Sequence, residues 1–408
     1  MVVVYASGVA HPGSALPQTA TVSLQDRRNN RKWEWSTGPK PGETFDYSQF
    51  EKLYSLLKDQ YYDQEKLATG AMLDGALKWF VAALGDPYTA FLDMQQNTDF
   101  TEELKGQQDF EGIGAAILKK EEAIEIQEVY KGTPSFEAGL RPLDLIAEIN
   151  DESTAEMTTE DAVAKIRGPE NTSVDLTIVR PSEQNPESRI FTVTITRKKV
   201  SIPSVSSDIL TMGTRKIGYI NISIIGQETE NAMKRAVTEI KQEGVDGIIL
   251  DLRGNGGGFL DIGVEVASHF IPEGQTVVTT KYRVPQYDEI YRSKGYGDFE
   301  NTPTVVLVDG LTASAGEIIA AALREVKWAI IVGSKTFGKW SIQTIEEFGS
   351  GSAIKYTIGK WYTPKDVNVD EIGLTPDVEI DIDIEAYRAD KSDNQLERAK
   401  EEVIKLMR

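Results

Sequence analysis

Cysteine is absent from the 408 residues, and histidine occurs only at His11 and His269. The first absence excludes a thiol nucleophile, a disulfide and a thiolate metal site. The second excludes a zinc site built on three histidines. A Ser-His-Asp triad would have to draw on one of those two residues. Basic side chains are in deficit, with 44 Lys and Arg against 64 Asp and Glu and a formal net charge of −20. Such a surface is ill suited to gripping a phosphate backbone, so nucleic acid is not an expected partner. No apolar run reaches the ~18 residues of a membrane helix. There is no His-Glu-x-x-His, no P-loop and no internal repeat. The missing cysteine fits an oxidising compartment and a reducing one equally well. Hydrophobic residues make up 40% of the chain, enough for sizeable cores. At this length roughly two or three domains are expected.

The chain opens on a short apolar run, residues 1–10, with no basic region before it. It reads equally as an ordinary flexible terminus or as the stub of a removed anchor or signal. Residues 1–45 are a linker or anchor remnant, punctuated by Pro12, Gly13, Pro17, Gly38, Pro39, Pro41 and Gly42. A helical unit is expected over 46–106. Phe50, Leu53, Tyr54 and Leu57 share one face, as do Leu73, Leu77, Phe80 and Leu84, and Gly85-Asp86-Pro87 stops the second helix. Over 107–200 the pattern becomes short strands, near 115–118, 124–130, 144–149, 174–180 and 190–196, with helices near 135–138 and 159–166. That is a compact, mostly β module. From 201 to 387 apolar strands alternate with helices, which indicates an α/β domain. Residues 388–408 form a last helix with Leu396, Ala399, Val403 and Leu406 on one face, capped by Ser392 or Asp393.

Two segments of the α/β domain carry candidate chemistry. The apolar strand 247–252 runs into Gly254-Asn255-Gly256-Gly257-Gly258 and then a helix. Phe259 stands where a dinucleotide fingerprint needs a third small residue, so that reading fails. A glycine run between strand and helix still offers bare N–H groups to an anion or a developing oxyanion. The bland alternative is a tight turn that needs positive φ. The second segment, 308–319, runs strand, turn, small residues, helix, and sets Ser314 at a helix N-terminus. There the Ala315 N–H would be an unpaired donor. On this segment alone, the plain N-cap reading of Thr312 or Ser314 is the favoured one. A serine without histidine can be activated by a lysine whose amine is neutral, which requires burial to lower its pKa from about 10.4. Lys339 stands in Phe337-Gly338-Lys339-Trp340, with Phe337 and Trp340 as candidate apolar walls. If 339–343 is extended, Lys339, Ser341 and Gln343 share a face, and Gln343 can hold the amine. His269 lies in an apolar helical run, where a packing or surface role is expected.

Together these pieces resemble the carboxyl-terminal processing, or tail-specific, serine peptidases that carry a PDZ domain. The resemblance covers about residues 46–408. It rests on Gly85-Asp86-Pro87-Tyr88-Thr89, Phe110-Glu111-Gly112-Ile113-Gly114, Ala138-Gly139-Leu140-Arg141-Pro142, Asp251-Leu252-Arg253-Gly254-Asn255-Gly256-Gly257-Gly258, Thr312-Ala313-Ser314-Ala315-Gly316-Glu317 and Thr336-Phe337-Gly338-Lys339. Each motif is weak by itself; their order and spacing are specific. The resemblance implies an α/β, ClpP/crotonase-like protease core with an inserted PDZ domain and an N-terminal helical unit. It implies proteolysis near protein C-termini by Ser314, Lys339 and Gln343, with backbone N–H groups of Ala315, Gly256 and Gly257 as oxyanion hole. It implies no metal or cofactor. Gly112, Ile113 and Gly114 would cradle the terminal carboxylate of an unstructured protein or peptide. Work outside the cytoplasm is also implied, with a membrane anchor upstream of residue 12 and a homo-oligomer both compatible. The chain departs from the family pattern at Trp340 and at Leu143, each in place of a Gly. A catalytically inactive, peptide-binding scaffold of the same fold is the alternative reading.

Overall fold

The computed structural model describes residues 2–5, 46–104, 107–120, 123–130, 132–157, 159–180, 189–368, 370–383, 386–387 and 392–407. The expected linker, His11 and most of the expected anchor remnant lie outside these. The first element is not a loose terminus: Val2–Tyr5 forms strand β1. The chain divides into two compact units, 1–8 with 86–408, and 9–85. The smaller unit holds helices α1 (Ser48–Gln60) and α2 (Thr69–Ala82). The helical unit expected to run to 106 therefore stops at Gly85. Residues beyond it join the larger unit, because β2 (Ala90–Leu92) pairs with a core strand and α3 (Met94–Leu104) packs Phe100 and Leu104 against Ile224 and Phe259.

The mostly β module hangs on a two-stranded stalk made by β3 (Gln107–Gly112) and a returning strand at Lys198–Pro203. Between them come β4 (Ala115–Lys120), β5 (Ala123–Val129), α4 (Pro134–Glu137), β6 (Leu145–Ile149), β7 (Glu152–Ser153), α5 (Thr159–Ile166), β8 (Ser173–Arg180) and β9 (Arg189–Thr196). The returning strand is β10. The strands form one antiparallel sheet, β4-β5-β6-β8-β9, with β7 beside β6. Alternate residues such as Val174, Leu176 and Ile178 enter one core with Ile113, Ile124, Ile126 and Ile149.

The α/β domain contains β11 (Val205–Met212), β12 (Arg215–Ile222), α6 (Thr229–Glu243), β13 (Gly247–Asp251), β14 (Gly257–Phe259), α7 (Leu260–Ser268), β15 (Thr276–Tyr282), β16 (Glu289–Arg292), β17 (Thr304–Val308), α8 (Ala315–Ala322), β18 (Ile330–Gly333), β19 (Ser341–Glu347), β20 (Ala353–Tyr362) and β21 (Val378–Glu379), followed by α9 (Asn394–Leu406). Two sheets share the work. One runs β11-β12-β13-β17-β18-β21, parallel except for β11. Every residue of β13 and β17 is buried, as expected for parallel strands covered on both faces. One face carries α6, α7 and α8; the other carries Ala399 and Val403 of α9, whose first turn is capped by Asp393. The second sheet, β14-β1-β19-β20-β15-β16, is mixed in origin: β1 comes from the start of the chain. Among the described residues no helix is long and apolar enough to cross a membrane.

Candidate active site

The site forms where parallel strands end, the usual location in open α/β sheets. The turns after β13, β17 and β18 are stitched to one another. The Asp309 carboxylate accepts the N–H groups of Gly254 (3.0 Å), Leu311 (3.0 Å) and Thr312 (2.9 Å). Thr312 Oγ1 donates to Leu252 O at 2.8 Å, and Ala313 N to Asn255 O at 2.8 Å. Phe337 N donates to Thr312 O at 3.0 Å. Thr312 is thus consumed by the turn and does not cap the helix.

Ser314 sits at the N-cap of α8 with φ 58° and ψ −117°. A non-glycine residue held there stores strain of order 1–3 kcal/mol and persists because its surroundings over-determine it. Its Oγ is buried and has no hydrogen-bond partner among the described residues. The N–H of Ala315 likewise finds no acceptor there, nor does that of Gly256. The Gly257 N–H, expected beside them, is spoken for: it donates to Asn255 Oδ1 at 2.8 Å. Asn255 itself is fully buried and ties Nδ2 to Ile222 O at 2.7 Å, so it fixes the glycine loop from within.

Glu317, one turn into α8, joins the serine to the lysine segment. Its Oε2 accepts Ser314 N (2.8 Å) and Lys339 N (3.0 Å). Its Oε1 accepts Thr336 Oγ1 (2.5 Å), Gly338 N (2.9 Å) and Trp340 Nε1 (3.3 Å). Burial pushes the Glu317 carboxyl pKa up, while these donors oppose the shift. All five groups give a proton to the carboxylate, which is the form that can accept them all. The Ser314-x-x-Glu317 spacing is a capping-box signature, the one sequence signal that points to this residue.

Lys339 is 1% exposed. Burial depresses its amine well below the usual lysine range, helped by the Lys355 cation and opposed by Asp86 and Glu317. The expected walls are half right. Phe337 is 44% exposed and faces away from the interior. Trp340 is buried, stacked on Trp361 at 3.9 Å between ring centroids. It is not among the left-handed residues, so a non-glycine side chain fits its backbone without strain. The left-handed residue is Gly338, φ 89°, where an added Cβ would lie 2.7 Å from Gly373 N. Lys339 Nζ lies 5.2 Å from the Tyr88 ring centroid. Gln343 is fully buried; its Nε2 donates to Ser341 Oγ (2.9 Å) and Thr357 Oγ1 (3.1 Å), and its Oε1 is left without a partner among the described residues. The shared face of Ser341 and Gln343 holds, but no hydrogen bond joins Gln343 to the lysine amine.

The turn read as a helix stop belongs to this site. Asp86 accepts Tyr88 N at 2.9 Å and Thr89 Oγ1 at 2.6 Å, and Thr89 Oγ1 accepts Thr357 N at 3.1 Å. Burial works against the Asp86 carboxylate, yet bonds from Thr357, Thr89 and Tyr88, with Lys339 nearby, hold its pKa below the usual value. Burial, with the carboxylates of Asp370 and Glu317, pushes the Tyr88 phenol up to about 12. His269 is buried, pairs Nδ1 with Asp298 at 2.7 Å and packs on Tyr296.

In the β module, Gly114 has φ 79°, and a Cβ there would lie 2.3 Å from Thr133 Cβ. The Gly114 carbonyl accepts Tyr130 N, Thr133 Oγ1 and Ser135 Oγ, and the Ile113 carbonyl accepts Ser135 N. With both carbonyls held inward, the N–H groups of Ile113 and Gly114 find no acceptor among the described residues. Gly112 is different: it ends β3, opposite Lys198. Leu143 takes φ 70°, which explains why a glycine suits that position.

Residues 216–380 match peptidase family S41, and residues 125–180 match a PDZ domain. The chain is 34% identical over 348 residues to the carboxy-terminal processing protease CtpA of Bacillus subtilis (strain 168), covering 85% of this chain and 72% of that protein. It is 37% identical over 338 residues to a probable CtpA-like serine protease of Staphylococcus aureus (strain N315), covering 82% of this chain and 64% of that one. Among solved structures it is similar to the photosystem II D1 C-terminal processing protease, with a TM-score of 0.54 and 28% identity over 83% of this chain and 94% of the other. A putative S41 protease from Bacteroides fragilis NCTC 9343 shares the fold, with a TM-score of 0.60 and 18% identity over 90% and 99%. The chain belongs to the S41 serine peptidases that carry a PDZ domain. Within them it is a serine-type peptidase of the carboxyl-terminal processing kind.

Proposed function

We propose that the chain cleaves unstructured protein substrates near their C-termini, with Ser314 as nucleophile, Lys339 as general base and Gln343 supporting the lysine. The observation that carries this is one carboxylate oxygen, Glu317 Oε2, shared by the backbones of Ser314 and Lys339. The serine presents an uncommitted hydroxyl, and the lysine is desolvated. A neutral Lys339 amine takes the Ser314 proton as Oγ attacks the scissile carbonyl. The carbonyl oxygen, now an oxyanion, is received by the N–H groups of Ala315 and Gly256 at the positive end of α8. The lysine ammonium then returns its proton to the leaving amine, and water releases the acyl group by the same route. Gln343 Oε1 is the acceptor available to orient the amine. The PDZ domain receives the substrate's terminal carboxylate on the Ile113 and Gly114 N–H groups, and the peptide adds as a strand along β4.

The test is digestion of a disordered protein with an apolar C-terminus. Ser314→Ala removes the attacking oxygen and little volume, so cleavage is expected to stop with the fold intact. The C-terminal amide of the same substrate is expected to be cut more slowly than the acid, because the cradle loses a charge-assisted partner. Undiminished turnover by Ser314→Ala rejects the nucleophile; equal rates for acid and amide reject the terminus-reading role.

A further inference from the structure

Strand β1 lies between two strands that do not pair with each other. On one edge Val3, Val4 and Tyr5 run antiparallel to Phe259, Gly258 and Gly257 of β14. On the other, Val2 and Val3 run antiparallel to Thr344 and Gln343 of β19. Without β1, β14 and β19 would face each other across a strand-wide slot with unpaired edges. That slot borders the active site on both sides. β14 begins one residue after Gly256, and β19 carries Gln343. An extended peptide can enter it through main-chain hydrogen bonds to either wall. Ser314 and Gln343 meanwhile have no solvent exposure, a closed condition for groups that must meet a polypeptide.

We infer that Val2–Tyr5 is an intramolecular occupant of the substrate channel, which holds the peptidase closed until a substrate displaces it. The inference rests on the proposed Ser314 and Lys339 chemistry for its consequence, though not for the occupancy. The segment suits the role. Val-Val-Val-Tyr is built of strong strand formers and carries no side-chain charge in a chain of net charge −20. Its hold is through the backbone, so an extended peptide of different sequence can compete with it. Because it is tethered, it competes at an effective concentration that a free peptide must exceed.

The test uses the full chain with Val3→Pro or Val4→Pro. β1 is paired on both edges, so proline at either position removes a ladder hydrogen bond, and the catalytic residues stay in place. If the slot is open about a tenth of the time in the parent chain, KM for a short apolar peptide falls about tenfold in the variants while kcat is unchanged. Amide exchange at Gly258, opposite Val4, and at Gln343, opposite Val3, accelerates. A synthetic Val-Val-Val-Tyr peptide added to either variant inhibits competitively. Unchanged KM together with unchanged exchange in both variants overturns the inference. Binding of the same short peptide in a Ser314→Ala background, read by fluorescence anisotropy, separates this from the catalytic assignment. Tighter binding in the proline variants supports occupancy even if no form of the protein cleaves; equal binding overturns it.

Discussion

Glu317 and Lys339 are neighbours of opposite charge, both almost wholly removed from solvent. The structure treats them in opposite ways. Glu317 receives five hydrogen bonds, from the serine turn on one side and residues 336–340 on the other. Lys339 Nζ makes no hydrogen bond or ion pair to the described residues, with an aromatic ring at 5.2 Å. A buried carboxylate so fully satisfied is a fixed charge that holds backbone in place. A buried amine so poorly satisfied is driven toward its neutral, basic form. The difference separates positioning from reactivity within one site, and four substitutions at three positions probe it.

The largest effect is expected at Glu317. Glu317→Ala strands five donors, each costing about 1–3 kcal/mol when buried without a partner. A large fall in melting temperature and loss of cleavage should follow. Glu317→Gln is the sharper variant, because it keeps the shape but points an NH2 at donors. It should fold, melt lower than the parent, and lose roughly 100-fold or more in kcat/KM, of the size seen when catalytic geometry slips by about an ångström. A Glu317→Gln enzyme with parental stability and turnover would break the distinction.

At Lys339 activity and stability should part. Lys339→Met removes the proposed base and should abolish cleavage. It should also raise stability, since the native lysine pKa lies below its unfolded value of 10.5. Below the native pKa both states carry the proton, and the folded state bears the whole cost of a buried ammonium. Between the two pKa values the unfolded state binds more protons, so the parent gains stability as pH rises. The advantage of Lys339→Met should therefore be greatest at low pH and vanish near pH 10.5. Thermal melts of both proteins across pH check the sign. Parental cleavage should rise with pH through the depressed lysine pKa.

The smallest effect is expected at Lys355, whose positive charge helps to lower the Lys339 pKa. Lys355→Gln should move the acidic limb of the kcat/KM profile to higher pH, by under about one unit for a partly solvated pair. A shift to lower pH would contradict the electrostatic account.

Much of this architecture was legible in residue pattern. The strand expected at 247–252 and the helix near 159–166 occur as Gly247–Asp251 and Thr159–Ile166, because an apolar run and a clean helical face leave little choice. Strands β11, β15 and β16 escaped notice. They mix threonine, serine and charged residues, and their pairing across the sheets supplies what their composition lacks. Ser314, Lys339 and Gln343 were visible as candidates through elimination and spacing. Glu317, Asn255 and Asp86 were not visible as site residues. An acid in a first helical turn, an asparagine in a glycine loop and an aspartate before proline all have ordinary local roles. Their partners lie far away in sequence: Glu317 meets Lys339, Asn255 meets Ile222, and Asp86 is wired to Thr357 through Thr89.

The sequence by itself determined many of the strands, helices and turns, and with only two histidines it made a lysine-activated serine the candidate chemistry. Those are local matters of periodicity, backbone freedom and side-chain chemistry. The tertiary structure alone decided which glycine N–H groups stay free, since Asn255 claims that of Gly257 and leaves that of Gly256. It also decided that Trp340 turns inward onto Trp361 and that Val2–Tyr5 lies between β14 and β19. Hydrogen bonds and packing between distant segments carry no local signature, and they appear only when the chain has closed on itself.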